Sequence, residues 1–434
     1  MPGAAAGLEA QIIVEVGFSV GASTGTLLQL DDPVRGKLDT GTLAADVTWT
    51  DVSDYVLAVS TRRGSNRVTS PTIRYEAGTA AIVLDNSDRR FDPTNLAGPY
   101  VAAGVSQVTP MRAVRIRTGY PIPIGAGILP VYDLFRGFAD EWRISYDLPD
   151  MATVVLTATD GFKVLSNVDR AGGASVGGGE LSGARINRIL DSAGWPAIDR
   201  NIDAGTTAMQ ATTLSGNVLT ELRLVEDSEL GQLLMSEAGV VRFVSRGNVL
   251  SATRAINPQG TFGDGGGAEL AYEAVEVAYD DMTMANRARI SRLGSTEQQA
   301  DDAASQSLYL IRTVKRNGLL MQTDGEASDY AGFMVYTAGQ PELRFATMTL
   351  FPREDPANLW PQVLARVIGD RITITRRPPG GGTPITRDVF IQGIEHHLDM
   401  DWRTTFTLQS ATRYNFLILD HATRGLLDTG TLGF

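Results

Sequence analysis

Short segments in which apolar and polar residues alternate recur along this chain, and they constrain its fold more than any other feature. Val114 and Ile116 alternate with arginines, and the same spacing returns at Ile372 and Ile374. Successive side chains of a strand point to opposite faces, so this period of two predicts strands with one face on a core. Turn-forming stretches such as TGYPIPIGAGILP at 118–130 separate the segments. The chain is therefore predicted to be mainly β.

The middle of the chain has a different pattern, which predicts a small α+β insert. Ile186, Ile189 and Leu190 have helical spacing, with Ser182 as the candidate N-cap. A hairpin is expected to turn at 237–239, where a glycine separates two apolar runs. The insert is thus predicted to combine helices with a short sheet.

One further helix is predicted inside the later β-rich region, where apolar residues follow a helical spacing. Gly339 and Pro341 are expected to end it. Its predicted inner face consists of Ala327, Tyr330, Ala331, Met334, Val335 and Ala338.

These patterns predict five parts of the chain, with a Gly-rich linker at 257–270. The parts are an N-terminal arm (1–45), a first β-rich region (46–165), an α+β insert (166–262), a second β-rich region (268–415) and a C-terminal tail (416–434).

Composition excludes several classes of protein. The chain has no cysteine, so disulfide scaffolds, thiol nucleophiles and Cys-ligated zinc are excluded. Its net charge of −12 argues against a surface that wraps nucleic acid, although it allows a channel through which DNA only passes. No apolar run approaches the ~20 residues of a membrane span, and the N-terminus lacks a basic signal region. Synthesis in the cytoplasm without stable membrane insertion is expected.

The two ends of the chain carry copies of one motif. Residues 28–45 read LQLDDPVRGKLDTGTLAA, residues 417–434 read LILDHATRGLLDTGTLGF, and 11 of the 18 positions are identical. A short extended peptide with apolar anchors suits docking to a groove or sheet edge, so both copies are predicted to bind one kind of pocket on a partner. A duplication without a shared role is the alternative. The predicted docking residues are Asp31, Arg35, Gly36, Leu38, Asp39, Leu43, Asp420, Arg424, Gly425, Leu427, Asp428 and Leu432.

Few residues suggest catalysis. The pattern G-x-S-x-G occurs around Ser23 and Ser175, and a nucleophile elbow needs a strand before it and a helix after it. The copy at Ser23 follows a predicted strand but precedes a stretch that is not helical, and the copy at Ser175 lies in a Gly-rich loop. His396 and His397 are adjacent on a predicted strand and should point to opposite faces, which does not suit one metal ion. No catalytic residue, cofactor or metal site is predicted.

The oxygen-rich stretch from Asp85 to Asn95 departs from calcium-loop spacing. We expect a tight turn in which Asp and Asn side chains bond the backbone, with Phe91 and Pro93 at a domain edge. A bound cation is the alternative.

Several longer stretches resemble one protein family. The run RRGSNRVTSPTIRYEAGTAAIVLDNSDRRFDPTN (62–95) resembles the N-terminal part of minor tail proteins of siphophages that infect actinobacteria and other high-GC hosts. Further stretches resemble the same group in order, including ARINRILDSAGWP (184–196), RVIGDRITITRRPP (366–379) and GIEHHLDMDWRTTFTLQS (393–410). The resemblance extends over nearly the whole chain after residue 40.

The resemblance implies a baseplate or tail-tip hub, similar in class to the hubs of contractile phages and type VI secretion systems. The two β-rich regions would then be β-barrel-like tube domains with a common strand order, and a homotrimer would present six of them. Expected partners are the distal tail protein ring, the C-terminus of the tape measure protein and other tail-tip or fibre proteins, with DNA only passing through the lumen. The expected location is the distal end of the virion tail, after assembly in the host cytoplasm.

The resemblance also implies a mechanical function, in which the hub adapts sixfold to threefold symmetry and opens for DNA ejection. Two alternatives stay open, a hexameric distal tail protein and a phage-encoded serine hydrolase that uses Ser23 or Ser175. Because the sequence printed here continues to Phe434 without an evident peptidase or lectin module, receptor binding and wall digestion are expected of other proteins.

Overall fold

The computed structural model describes residues 10–18, 47–120, 131–148 and 151–411 together with Tyr414, apart from residues 69, 71, 103, 171 and 173. Its largest element is a sheet of 13 strands. The strands are β1 (Gln11–Val16), β2 (Thr50–Asp51), β3 (Val56–Gly64), β4 (Glu76–Asp85), β5 (Val101–Ala102), β6 (Val105–Ser106), β7 (Ala113–Gly119), β8 (Val131–Leu148), β9 (Met151–Thr159), β10 (Asp169–Arg170), β11 (Arg200–Ile202), β12 (Gly216–Asn217), β13 (Gln232–Met235), β14 (Val241–Val244), β15 (Thr261–Gly263), β16 (Ala274–Asp280), β17 (Arg287–Arg292), β18 (Gln298–Asp301), β19 (Thr313–Leu319), β20 (Glu342–Leu350), β21 (Arg371–Arg376), β22 (Ile385–Leu398) and β23 (Trp402–Ser410). The helices are α1 (Gly161–Ser166), α2 (Ser182–Ser192), α3 (Val218–Glu229), α4 (Arg246–Ser251), α5 (Thr253–Ile256), α6 (Ala303–Tyr309), α7 (Asp324–Ala338) and α8 (Pro356–Ala365).

The large sheet consists of two halves with one strand order. In the first half the neighbours are β3-β4-β9-β8-β7-β1, and in the second half they are β16-β20-β23-β22-β21-β15. If the strands of each half are numbered one to six along the chain, both halves have the spatial order 2-3-6-5-4-1. The halves differ in the last pair, because β1 pairs antiparallel with β7 whereas β15 pairs parallel with β21. The common strand order that the resemblance implies is therefore present.

One hydrophobic core is shared by both halves. Ile82, Leu156 and Phe135 from the first half belong to the same buried cluster as Ile372 and Phe406 from the second. The alternation noted in the sequence accounts for this core, since Val114 and Ile116 are fully buried while the arginines that follow each of them are only partly buried. The fold class is mainly β with an α+β insert, as predicted.

The insert has its own core. A three-stranded sheet of β11, β14 and β13 packs with α1, α2 and α3 through Phe162, Ile186, Leu222 and Phe243. The predicted hairpin is confirmed by the antiparallel pairing of β13 with β14. The predicted N-cap is wrong, because α2 begins at Ser182 itself, without a side-chain cap at the residue before it.

The second β-rich region contains a small sheet that the sequence pattern did not indicate. Between β16 and β20, strands β18, β17 and β19 form a three-stranded sheet that packs against α7. The six predicted inner residues of α7 are all buried, and Thr323 and Glu326 form a capping box at its start. The helix ends at Ala338, directly before the predicted stop at Gly339.

Candidate functional site

The two halves of the sheet meet where β3 pairs antiparallel with the second part of β22. The register runs from Gly393 opposite Gly64 to Leu398 opposite Val59. A Cβ atom on Gly393 would lie only 2.1 Å from the carbonyl oxygen of Ser65, so the strands approach closely because this residue has no side chain. The joint between the halves is thus a continuous β ladder.

An ion pair between a buried arginine and a half-buried glutamate ties the insert to this joint. The guanidinium of Arg63 on β3 donates to the carboxylate of Glu237 in the β13–β14 turn at 2.9 Å. Burial lowers the pKa of Arg63, while Glu237 favours its charged form. Asp160 is also near Arg63, and burial raises the pKa of this carboxyl to about 7 although it accepts hydrogen bonds from the amides of Gly78 and Phe162.

A second polar network joins the same parts. The Tyr75 hydroxyl donates to Oε1 of Gln392 at 2.5 Å, which connects the start of β4 to β22. On α3, Arg223 donates to the carboxylate of Glu226 at 2.8 Å and to the carbonyl oxygen of Tyr75. Burial raises the pKa of Glu226, and its other oxygen accepts from the Leu233 amide at 2.7 Å. These contacts hold the insert on the sheet from two sides.

A cleft of about 360 Å³ opens between the insert, α7 and the second half of the sheet. Arg254 and Asp370 form a bidentate ion pair at its edge, with both distances 2.5 Å. The volume is at the lower end of the roughly 300–1,000 Å³ typical of ligand sites. Both arginines and carboxylates line the cleft beside its apolar residues, so the lining does not favour a ligand of one charge. The apolar lining residues include Val249, Phe333, Met334, Ile368, Phe390 and Tyr414.

Two edges of the large sheet expose apolar side chains. On β16, which pairs only with β20 in the described chain, Tyr279 is 66% exposed and Val277 is 39% exposed. On β8, Tyr146 is 62% exposed. Unpaired strand edges of this kind are ready sites for pairing with another chain. The alternation Val275, Val277, Tyr279 is a sequence signal that could have indicated β16, but nothing in the sequence marks it as an edge.

All the predicted docking residues lie outside the described residues. They are Asp31, Arg35, Gly36, Leu38, Asp39, Leu43, Asp420, Arg424, Gly425, Leu427, Asp428 and Leu432. The first motif copy follows Phe18, which stacks on Tyr100 with ring centroids 3.9 Å apart, and the second follows Tyr414 beside the cleft. Their docking role stays a prediction.

Of the two candidate nucleophilic serines, Ser175 is among the described residues and Ser23 is not. Ser175 lies in an exposed segment without regular secondary structure, directly before an isolated β-bridge at Val176, so the strand–turn–helix context of a nucleophile elbow is missing. Ser23 lies outside the described residues. The serine hydrolase interpretation therefore gains no support at Ser175.

The two adjacent histidines point to opposite faces of β22, as predicted. His396 is buried, its Nδ1 lies 3.0 Å from the Thr404 hydroxyl, and burial lowers the pKa of its imidazole to about 3. His397 is exposed, with Nε2 3.4 Å from a carboxylate oxygen of Asp399. His396 is thus a neutral core residue.

The predicted turn at 85–95 is confirmed, but its aromatic residue is placed differently. Asp85 and Asp92 each accept a hydrogen bond from the amide two residues later, at 3.0 and 2.8 Å. The hydroxyl of Thr94 donates to Asp92 and is the main cause that lowers the pKa of this carboxyl to about 2. Oδ1 of Asn86 accepts from the Phe91 amide at 2.9 Å. Phe91 lies fully buried in the shared core rather than at a domain edge, because its ring packs against other aromatic rings of that core.

Neither a cluster that could hold a metal ion nor a helix that could span a membrane occurs among the residues that the structure describes. No three carboxylate or imidazole side chains in it converge in a way that could hold a metal ion. None of its helices is long and apolar enough to span a membrane.

Comparisons with known proteins identify the fold. No protein-family model matches the chain, and no curated protein matches its sequence. The 43 kDa tail protein of prophage MuSo2 from Shewanella oneidensis aligns over 94% of this chain and 98% of its own, with 12% identity and a TM-score of 0.54. The tail protein from Neisseria meningitidis MC58 aligns over 93% of this chain and 98% of its own, with 12% identity and a TM-score of 0.56. This chain therefore has the fold of phage tail proteins.

Proposed function

We propose that this chain is a structural protein of a phage virion, the homotrimeric hub at the distal end of a tail tube. The observation that carries the proposal is the similarity in fold to two phage tail proteins over more than nine-tenths of this chain and nearly all of theirs. The hub adapts the sixfold symmetry of the tube to the threefold symmetry of the tip and opens for DNA during ejection.

The doubled strand order supports the choice of a trimer. Each chain carries two sheet halves of one topology, so three chains present six similar halves to a sixfold ring. The same number applies to the terminal motif, since three chains carry six copies of it. In this proposal each copy docks on one subunit of the distal tail protein ring, with Leu38 and Leu43 or Leu427 and Leu432 as apolar anchors. The tape measure protein and the fibre proteins are the other partners.

The mass of the assembled protein tests the stoichiometry. At 46.5 kDa per chain, light scattering should give about 140 kDa for the hub and about 280 kDa for the alternative, a hexameric distal tail protein. A threefold ring in electron micrographs of the purified assembly should accompany the smaller mass. A mass of about 280 kDa would contradict the hub proposal, whereas six similar densities in a ring of about 140 kDa would agree with it, because three chains present six similar sheet halves.

The docking role is tested with matched leucine variants. Replacing Leu427 by Ser removes an anchor that both motif copies share, and we expect weaker attachment of the hub to tail tubes in a co-sedimentation assay. The control is Leu426→Ser, because Lys37 is its counterpart in the first copy and that position is not shared as apolar. Equal attachment of both variants would show that the motif is a duplication without this role.

A further inference from the structure

The joint between the two halves is formed by β3 and β22. Because the halves have the same strand order, each of these strands has an equivalent strand, its counterpart, in the other half. β3 is the second strand of the first half, and its counterpart in the second half is β16. β22 is the fifth strand of the second half, and its counterpart in the first half is β8. β3 and β22 pair with each other within one chain, whereas β16 and β8 do not.

Both counterpart strands have an open edge in the described chain. β16 is the terminal strand of the sheet path. β8 pairs with β7 as far as Phe138, and beyond that point its described strand neighbour is β9 alone. β22 follows the same plan, since it pairs with β21 as far as Phe390 and beyond that point with β3 on the same side. β3 thus covers this side of β22, whereas no described strand covers the corresponding side of β8.

We propose that β16 of one copy of this chain pairs antiparallel with β8 of the next copy, repeating between chains the joint that β3 and β22 form within one chain. The inference deepens the proposed function, since it rests on that assembly of several copies and names the surface that joins them.

The internal equivalence fixes the register on β8. β8 and β22 each contain a β-bulge at the same place, between Ala139 and Glu141 in β8 and between Ile391 and Gly393 in β22. Aligning the bulges places Tyr146 at the position of Leu398. Phe138 and Phe390, which face the first residues of β7 and β21, then coincide as well.

The second strands align through their neighbours. The bulge alignment makes Leu156 of β9 equivalent to Phe406 of β23. Leu156 pairs with Ile82 on β4, and Phe406 pairs with Met348 on β20. These in turn face Val59 on β3 and Val275 on β16. Because Leu398 faces Val59, the alignment predicts that Tyr146 faces Val275 of the neighbouring copy.

This register matches the side chains on both faces. On the core face every pair is apolar, which is the arrangement that stabilises neighbouring strands. On the other face Arg143 stands opposite Ala278, between the diagonal carboxylates of Glu276 and Asp280. A slip by one residue would place apolar residues against polar ones along the whole pair. The apolar pairs are Trp142 with Tyr279, Ile144 with Val277 and Tyr146 with Val275.

The last pair of the ladder brings two acids together, and both have a partner in their own chain. Glu141 would face Asp280, at the position where Gly393 faces Gly64 within one chain. Arg143 donates to Glu141 at 2.8 Å, and Arg344 donates to Asp280 at 2.7 Å. Their charges are thus balanced before the copies meet. The contact joins different surfaces of two copies, so it closes into a ring if the rotation allows.

Disulfide trapping tests the pairing against a clean background, because the native chain has no cysteine. The double variant Ile144→Cys with Val277→Cys places two thiols opposite each other across the proposed ladder. A disulfide needs Cα atoms about 4.4–6.8 Å apart, so mild oxidation should link copies at least ~10-fold more efficiently than in the control. The control combines Ile144→Cys with Glu276→Cys, which lies one residue away and on the opposite face.

The outcomes separate this inference from the proposed function. Linked species that end at three chains support both, and a ladder that ends at another number supports the pairing but contradicts the trimer. An assembly of about 140 kDa that shows no specific link contradicts the pairing and leaves the trimer intact. A chain that stays monomeric at all concentrations contradicts both.

A charge variant gives an independent test. Arg143→Glu places a third carboxylate between Glu276 and Asp280, and we expect the concentration for half-assembly to rise at least ~10-fold because like charges face each other. Glu141→Gln on the same strand is the control and should assemble at least as well as the native chain. Unchanged assembly of the Arg143 variant would overturn the proposed register.

Discussion

In both halves of the large sheet, the segment that connects the third and fourth strands covers the shared core. This segment is mainly a loop in the first half and contains a helix, α8, in the second. In both halves the segment between the third and fourth strands inserts a large aromatic side chain. In the first half this is Phe91, delivered by a loop, and in the second half it is Trp360, delivered by α8. Phe91 stacks on Trp142 with ring centroids 6.1 Å apart, while Trp360 meets Trp402 edge-on at 4.9 Å.

The difference lies in how the backbone polar groups are satisfied. The loop after β4 uses carboxylate and amide side chains such as Asp85, Asn86 and Asp92 as acceptors for its own backbone amides. α8 satisfies its groups by helical hydrogen bonds and has no side-chain cap at Asp355. The comparison shows that two kinds of backbone, each with its polar groups satisfied in a different way, can bury an aromatic ring at the corresponding place of the two halves.

The largest expected effect tests whether the halves depend on one core. Phe91→Ala and Trp360→Ala should each lower the free energy of unfolding by about 3–5 kcal/mol, the usual cost of removing a buried aromatic ring. Because both rings belong to one cluster, both variants should shift the same calorimetric transition. Phe243→Ala, in the separate core of the insert, is the control. Two independent transitions for the two halves would break the comparison.

The joint between the halves is expected to be the next most sensitive point. Gly393→Ala introduces a Cβ atom that would lie 2.1 Å from the backbone oxygen of Ser65, so the strands must separate at a cost of about 1–3 kcal/mol. Gly247→Ala on α4 is the matched control, because nothing lies within 4 Å of its added methyl group. Equal melting temperatures for the two variants would show that the joint is looser than the ladder indicates.

The halves should also respond to pH in opposite directions. Burial raises the pKa of Asp160 to about 7, so the folded chain holds this proton more tightly than the unfolded chain. The associated stability is present below about pH 4 and is lost as the pH rises through 7. Burial lowers the pKa of His396 to about 3, so the associated stability is present above about pH 6.5 and is lost as the pH falls toward 3.

Neutral variants separate the two contributions. Asp160→Asn should flatten the fall in melting temperature between pH 5 and 8, and His396→Gln should flatten the fall between pH 6 and 4. Each difference should amount to about 2–4 °C, the shift that 1 kcal/mol causes in a domain of 150–250 residues. Glu141→Gln, at an exposed position, is the control for both scans. Parallel pH profiles for all three variants would exclude a role for the two buried groups.

The smallest expected effect concerns the turn that holds Phe91. Asp85→Ala removes the acceptor of the Ser87 amide, and we expect a loss of about 0.5–1.5 kcal/mol, typical of one hydrogen bond. Asp355→Ala is the counterpart in the second half and should change stability less, because its carboxylate caps no backbone amide of α8 and accepts instead from the exposed side-chain amide of Asn358, which can bond to water in the variant. Urea denaturation resolves this difference. A larger loss at Asp355 would reverse the comparison between loop and helix.

The sequence predicts local elements well because their signals are local. The spacing of Tyr330, Ala331 and Met334 defines α7, and the glycine at 239 marks the hairpin. The small sheet of β17 to β19 was not predictable, since it depends on a parallel pairing between distant segments. The Arg63–Glu237 ion pair spans 174 residues and carries no periodic signal, so only the fold brings its two charges together.

The length of β22 has a mechanical consequence. Its 14 residues pair first with β21 and then with β3, so a single stretch of backbone belongs to both halves. Antiparallel ladder bonds lie perpendicular to the strands. A pull along the strand direction therefore loads all the bonds from Gly393 to Leu398 together in shear, instead of opening them one after another. The two halves therefore overlap along a shared strand, and tension between them is carried by the whole β3–β22 ladder.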